Sequence, residues 1–364
     1  MKKLFLASAV SALLAAPATV LAQAKPGAVP TLDKVLEASG ISVSGYIDAG
    51  YTRANRDVEA TPAARVFDAQ NNSFALHQLG VSISKLPKAG FGGLVNFTMG
   101  KDAPVLTSIN PNDPPASQFD LTQAYAQYAT GPLTLIAGKF VTLHSTEVIW
   151  SPSNSNISRS ILFGSVPFTH TGVRGIWALN DQVSLYAGLN NGWDQLTDMN
   201  RAKTVELGAS LNPIKPLTVS VSAYSGKEGV TGAEATKSSL NAVVSYTISD
   251  PLSVGVEVLR VSQEAGTTKD KYNGLAGYAT FMFTPKYRGA LRVESFDDKN
   301  GLRFGNADTK YREVTGTVAY LAADNFEMRA EVRRDQANNP VFVNFDGTTS
   351  KSLMTIALQG LYKF

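Results

Sequence analysis

The sequence predicts an all-β chain, a transmembrane antiparallel β-barrel of about sixteen strands. Three observations predict it. From Ile41 to the last residue apolar and polar side chains alternate with period two, which places one set on each face of a strand. The segments that alternate are joined by connections that are by turns short and long. No segment after the first 25 residues carries the roughly 20 consecutive apolar residues that a membrane-crossing helix needs. Only 17% of the 364 residues are charged, against roughly 25% in globular chains, while 17 Phe, 13 Tyr and 3 Trp exclude a disordered chain.

Residues 1–24 read as a secretory signal peptide. Met1-Lys2-Lys3 is a basic start, Leu4 to Ala16 is an apolar run too short to span, and Ala22-Gln23-Ala24 has the small-x-small pattern of a cleavage site. Residues 25–40 form an N-terminal periplasmic segment, in which Leu32, Val35 and Leu36 have the spacing of a short helix over Thr31 to Ser39. Loss of Lys2 and Lys3 lowers the formal net charge from +3 to +1, and near-neutrality argues against a nucleic-acid partner, which would favour a clustered basic face. With no cysteine in a secreted chain there is no disulfide framework and no thiol chemistry.

The barrel occupies 41–364. The period-two pattern places strands at 41–51, 74–85, 91–101, 119–128, 133–140, 169–179, 182–192, 203–211, 217–224, 238–247, 252–261, 272–283, 288–296, 311–320, 326–334 and 351–364. Val183-Leu185-Ala187-Leu189, Val205-Leu207-Ala209-Leu211 and Met354-Ile356-Leu358 show the dyad most plainly. Connections after even-numbered strands, such as Asn180-Asp181, Ser249-Asp250-Pro251 and Ala322-Ala323-Asp324-Asn325, are built from the residues that supply turn dihedrals. Those after odd-numbered strands, 52–73, 102–118, 141–168, 225–237, 297–310 and 335–350, are long and polar. This asymmetry predicts short periplasmic turns, long extracellular loops and an even strand number. A soluble two-sheet sandwich or propeller would seldom keep that order, and its outer face would carry more Lys and Glu.

The end of the chain agrees. Met354, Ile356, Leu358, Gly360, Tyr362 and Phe364 share one face, and the terminal aromatic looks like the signature by which outer-membrane proteins are recognised by the barrel-assembly machinery. Tyr51, Trp177, Phe281, Phe283, Phe326, Tyr362 and Phe364 fall near strand ends, where interfacial aromatic girdles belong.

The densest run of unusual residues lies between the fifth and eighth strands: Gly138-Lys139-Phe140, Glu147, Asn154, Ser158-Arg159-Ser160, Pro167-Phe168-Thr169-His170-Thr171-Gly172-Val173-Arg174, Asn190-Asn191-Gly192-Trp193-Asp194 and Asn200. In this order they resemble the OmpL-like β-barrel porin family of Gram-negative bacteria, and the resemblance covers about Gly40 to Phe364. It implies an outer-membrane channel, exported through a cleaved signal peptide and set among outer-membrane lipid and lipopolysaccharide. Porins of this size are often trimers, so a homotrimer is the assembly to test. By analogy with general porins, the longest loop, 141–168, folds into the lumen and narrows it; its Ile161-Leu162-Phe163 and Val166-Pro167-Phe168 clusters are those of a packed loop.

A channel selects by width, lining charge and hydrogen-bonding groups. Strand parity assigns Lys139, His170, Arg174, Glu206, Glu257, Arg288, Arg292, Glu294, Glu327, Arg329, Glu331 and Arg333 to the lumen or its rims. A pore constriction is expected from Lys139, Glu147, Arg159, His170, Arg174, Arg292 and Arg329, with a basic wall opposed by Glu147 on the folded loop; simple ion pairing across adjacent strands is the plainer reading for each residue. No metal site or cofactor is expected, since His77, His144 and His170 lack ligand spacing and the stretch 297–301 lacks the distal Glu of a calcium loop. The expected function is passive diffusion of small hydrophilic solutes and ions. The rivals are a non-conducting anchoring or adhesion barrel and an outer-membrane hydrolase using His144 and Ser145, although no nucleophile elbow is present.

Overall fold

Alternating residues such as Val205, Leu207 and Ala209 can bury one face only if every strand edge is paired, and in hydrocarbon that requires closure. A computed structural model describes residues 31–56, 65–68, 70–107 and 117–364, and in it the strands close. The signal peptide at 1–24 lies outside the described residues. Leu32–Ser39 forms a helix of its own, ended by Gly40 in the left-handed conformation (φ 67°), whose N–H donates to the Glu37 carbonyl.

The barrel strands are β1 Ser42–Ala54, β2 Ser73–Lys85, β3 Gly90–Met99, β4 Phe119–Thr130, β5 Leu133–Val141, β6 Thr169–Asn180, β7 Val183–Asn190 and β8 Thr204–Ile214. They continue as β9 Leu217–Glu228, β10 Ala235–Ser249, β11 Leu252–Ala265, β12 Thr268–Thr284, β13 Tyr287–Asn300, β14 Ala307–Ala323, β15 Phe326–Ala337 and β16 Ser352–Lys363. Each pairs antiparallel with its neighbours in sequence, and β1 closes on β16 with Tyr46 opposite Lys363 and Ala54 opposite Thr355. At the seam Gly45 and Phe364 exchange N–H···O bonds of 2.8 and 2.9 Å. A two-residue hairpin, Phe342–Val343 with Thr349–Ser350, sits in the loop before β16.

Leu207, Val293, Val314, Val332, Ile356 and Leu358 face outward and are exposed, while Glu206, Arg292, Glu294, Thr315, Glu331 and Arg333 between them are buried inside. The wall therefore presents apolar side chains outward and charge to the interior, the pattern of a membrane barrel. Phe91, Tyr128, Trp177, Phe283, Tyr287 and Tyr362 stand exposed at the end of the barrel that bears the short turns, and Phe91 packs on Tyr128 with ring centroids 4.8 Å apart.

Several strand boundaries differ from the sequence reading. The connections expected at 225–237 and 297–310 shrink to 229–234 and 301–306, because β9, β10, β13 and β14 run on beyond the segments with the apolar dyad. A two-residue turn at Gly266 joins β11 to β12 at the loop end, so the long-short alternation is not strict. Toward these strand ends an outward face need not be apolar; Lys227 opposite Thr236 keeps the backbone ladder without the dyad.

Candidate functional site: the third loop inside the barrel

The connection from β5 to β6, residues 142–168, turns into the barrel and is held against its wall. It starts on β9 and β10, where Tyr224 Oη accepts from the Leu143 N–H at 2.8 Å and the His144 ring bonds Ser222 and Ser239 at 2.7 and 2.9 Å. It reaches β11, where Glu257 accepts from the Thr146 N–H at 3.0 Å. A 3-10 turn at Ser151–Ser153 meets β2 and β3: Trp150 Nε1 donates to Asn96 at 3.2 Å and Ser151 Oγ to Gln78 at 3.2 Å. The chain then returns along β15, β13 and β12.

On this return the wall grips the loop backbone. Glu331 accepts from the N–H groups of Ile157 and Ser158 at 2.6 and 3.0 Å, and Glu294 from those of Ile161 and Leu162 at 2.8 and 2.6 Å. Guanidiniums take the carbonyls: Arg292 donates to Ser158 O at 2.7 Å, Arg333 to Arg159 O at 2.5 Å, and Arg329 to Ser151 O and Asn156 O at 3.4 and 3.3 Å. A loop without ladder partners needs such acceptors and donors, because each buried backbone polar group left unpaired is costly. Packing adds to this. Ile161 and Leu162 are fully buried with Tyr272 and Phe296, and Leu162 lies against Gly274, where an added Cβ would be 3.0 Å from its Cδ1.

The gripping charges are themselves paired. Arg292 bonds Glu313 at 2.9 Å and Glu147 at 2.7 Å, Arg333 bonds Asp335 at 2.7 Å, and Asp335 also meets Arg65 of the first loop at 3.5 Å. Arg329 pairs with Glu327, which Arg288 also reaches at 2.6 Å. Glu147 accepts from the Ser160 N–H at 2.7 Å as well, tying the outgoing leg of the loop to the returning one. Arg159 does the same from its side chain, donating to the carbonyls of Val148, Ile149 and Ile157 at 3.0, 3.1 and 3.0 Å.

Of the residues expected at a constriction, Glu147, Arg159, Arg292 and Arg329 thus come together in one network on the third loop. Lys139, His170 and Arg174 do not join it. Lys139 bonds Asp120 at 3.3 Å; Arg174 pairs with Glu206 on β8 and lies over Phe140 at 4.2 Å; His170 bonds Gly192 O at 3.0 Å and stacks on Tyr224 at 4.4 Å. The expected opposition of Glu147 to a basic wall is corrected: Glu147 is bonded to Arg292, since the loop lies against the strands that carry the arginines rather than across a gap from them. His144 and Ser145 also do not pair, because the imidazole is spent on two other serines and Ser145 Oγ donates to Glu257 at 3.4 Å. Burial and neighbouring His170 push the His144 pKa down to about 3, so its ring is neutral.

The sequence reading placed Glu257, Glu294 and Glu331 in the lumen without their role as anchors, and it missed Trp150, Asn96 and the Arg65–Asp335 contact. Apart from the Trp150–Asn96 bond, these contacts join residues more than a hundred positions apart. What signal exists is the i, i+2 run Glu327, Arg329, Glu331, Arg333, Asp335 on one face of β15. Asp194, whose carboxylate accepts from the Phe168 and Thr169 N–H groups at 2.7 and 2.9 Å, closes the loop onto β6; burial pushes its pKa up to about 6.

Between the loop and β2 to β5 a cavity of about 320 Å³ remains, lined by Ser82, Leu94, Gln123, Val141, Thr142, His144, Ser153 and the loop residues from Glu147 to Trp150, with Phe163 and Phe168.

The comparisons with known proteins agree with this architecture. The outer membrane channel DcaP of Acinetobacter baumannii is similar in structure with a TM-score of 0.61 at 12% identity, over 89% of this chain and 97% of that one. The anion-selective porin from Comamonas acidovorans gives 0.65 at 11% identity, over 89% and 99%. The trimer form of OmpT, an outer membrane protein of Vibrio cholerae, gives 0.60 at 11%, over 89% and 99%. No curated protein sequence matches the chain. A family model described as "Putative beta-barrel porin-2, OmpL-like" matches residues 40–364, and the chain belongs to this family of outer-membrane β-barrel porins.

Proposed function

We propose that the protein is a passive diffusion channel for small hydrophilic solutes and ions, in which the third loop sets the size limit. The observation that carries this is the loop itself: it is folded inside the barrel and fixed there by wall carboxylates and guanidiniums that pair with its backbone. A sixteen-stranded wall encloses more room than its own side chains fill, whereas eight strands do not. An inward loop held at many points narrows that room without sealing it. Selectivity then comes from the groups left facing water, because the charges inside are largely matched in pairs.

In this reading the termini and short turns face the periplasm and the loops face outside. Export uses a cleaved signal peptide at 1–24, and the strand ending in Phe364 is what the barrel-assembly machinery receives. The outward faces of Leu207 and Val332 meet lipid, with lipopolysaccharide around the loop end. A homotrimer is the assembly proposed, as OmpT has a trimer form. Glu147, Arg159, Arg292 and Arg329 build the narrow region; Lys139, His170 and Arg174 line the sector beside it. No step of catalysis is involved. The test is single-channel recording of the refolded chain in a planar bilayer. Discrete ohmic steps support the channel, and a folded, inserted but electrically silent barrel points to anchoring or adhesion.

A further inference from the structure

The inner wall changes character between the third loop and the short turns. Ser222, Ser239, Asn241 and Glu257 are occupied in holding the loop's outgoing leg. The parts of β7 to β12 that lie nearer the turns, 183–187, 207–214, 217–223, 242–249, 252–256 and 277–284, contain no Asp, Glu, Lys or Arg. Leu185, Leu207, Val221, Val244, Val256 and Phe281 face outward there, and on the inner face each of these strands presents at least one hydroxyl.

The hydroxyls form a continuous run across the wall. Ser184 is opposite Ser210, and Ser210 is opposite Ser220. Two residues along β9, Thr218 is opposite Ser245; two residues along β10, Thr247 is opposite Ser253, which is opposite Thr280. Every step is either about 4.8 Å across the ladder or about 6.6 Å along a strand. At one end Thr280 donates to Ser155 of the third loop at 3.3 Å. The hydroxyls of Ser184, Ser210, Ser220 and Ser245 are half-buried and bond no described residue, so each keeps a donor and acceptor sites for what fills the lumen. Tyr186, two residues from Ser184 and opposite Gly208, adds a half-buried aromatic body whose own hydroxyl bonds no described residue.

A charged solute finds no counter-charge on this face, and an ion that gives up water without one is penalised. The turns below do not supply a field of one sign: they carry Asp181, Lys215, Asp250 and Lys286, two of each sign. On the neighbouring wall Arg288 and Glu327 are bonded to each other at 2.6 Å. Hydroxyls that both donate and accept, beside an aromatic face, match a solute with the same two characters: hydroxyl groups set around a frame of C–H groups.

We propose that this hydroxyl face of β7 to β12 is the solute-contacting surface of the channel and that its cargo is uncharged and polyhydroxylated, a sugar or polyol. The proposal rests on the diffusion-channel reading and names its substrate class. The test uses the refolded chain in proteoliposomes beside planar-bilayer recording. Uptake of radiolabelled glucose is expected to exceed that of gluconate, an anion with the same number of carbons, by about threefold or more. Ser220→Ala combined with Ser245→Ala removes two free hydroxyls without adding volume, and should lower glucose uptake by about threefold or more relative to KCl conductance. Ser220→Asp with Ser245→Asp should move the reversal potential in a KCl gradient toward cation selectivity and should not raise gluconate uptake. All variants are first checked for the heat-modifiable gel mobility of a folded barrel.

Steady current with gluconate uptake equal to or above that of glucose overturns the substrate class and leaves the channel standing. Glucose uptake that keeps its ratio to KCl conductance in the double alanine variant overturns the role of the hydroxyl face. A folded, inserted barrel that passes neither current nor glucose overturns the channel reading, and the proposal with it.

Discussion

Replacing Glu294 and Glu331 together by Gln tests the grip on the third loop. Each carboxylate accepts from two consecutive loop N–H groups, and Gln keeps one carbonyl oxygen while turning an NH₂ toward the other N–H. At least one bond is lost at each site. A buried donor left unsatisfied costs about 1–3 kcal/mol, so the pair of substitutions opposes docking by about 2–6 kcal/mol. Against this, Ile161 and Leu162 stay buried, worth about 1.5–3 kcal/mol each. The two sums are comparable, so the loop should alternate between docked and released states while the strand ladder stays intact. The assay is single-channel recording beside limited proteolysis in micelles. The double variant should show excursions to a higher conductance and cleavage within 142–168, neither seen in the parent. Identical traces and identical protease resistance would refute the idea that these carboxylates hold the loop.

Three further outcomes follow from the same geometry. Val332→Arg, on an exposed outward position of β15, should cost about 2–4 kcal/mol in urea unfolding from vesicles, with Thr355→Ser on an inward face of the neighbouring strand costing far less. Deleting Phe364 removes both seam bonds to Gly45 and should lower the yield of heat-modifiable barrel on refolding. The neutral His144 ring has a folded pKa near 3, below the ordinary 6.5; the unfolded chain then binds the extra proton between these values, so docking of the loop start is at full strength above about 6.5 and is lost as pH falls toward 3. Protease access to the loop should rise across that window, and His144→Gln should flatten the profile.

The strand order and the two faces were legible because hydrocarbon imposes a strict rule: outward Leu207, Val293 and Ile356 must be apolar, and Glu206, Glu294 and Arg333 must not share their face. The rule ends with the bilayer. Beyond it the ladder of β9 and β10 continues through Lys227 opposite Thr236 with no apolar face to mark it, which is why 225–237 reads as a loop. The grip on the third loop was less legible still. Parity puts Glu294 and Glu331 inside, but their partners Ile161 and Ile157 lie more than a hundred residues away and offer backbone N–H groups, which any residue could supply. The side chains at those positions report only that they are apolar and packed.

The most direct test of the central claim is the single-channel conductance of the refolded parent chain, with the reversal potential read in a salt gradient. An inward loop fixed in a sixteen-stranded wall predicts discrete, steady open levels with little noise. A protein that inserts, migrates as a folded barrel and passes no current would contradict it.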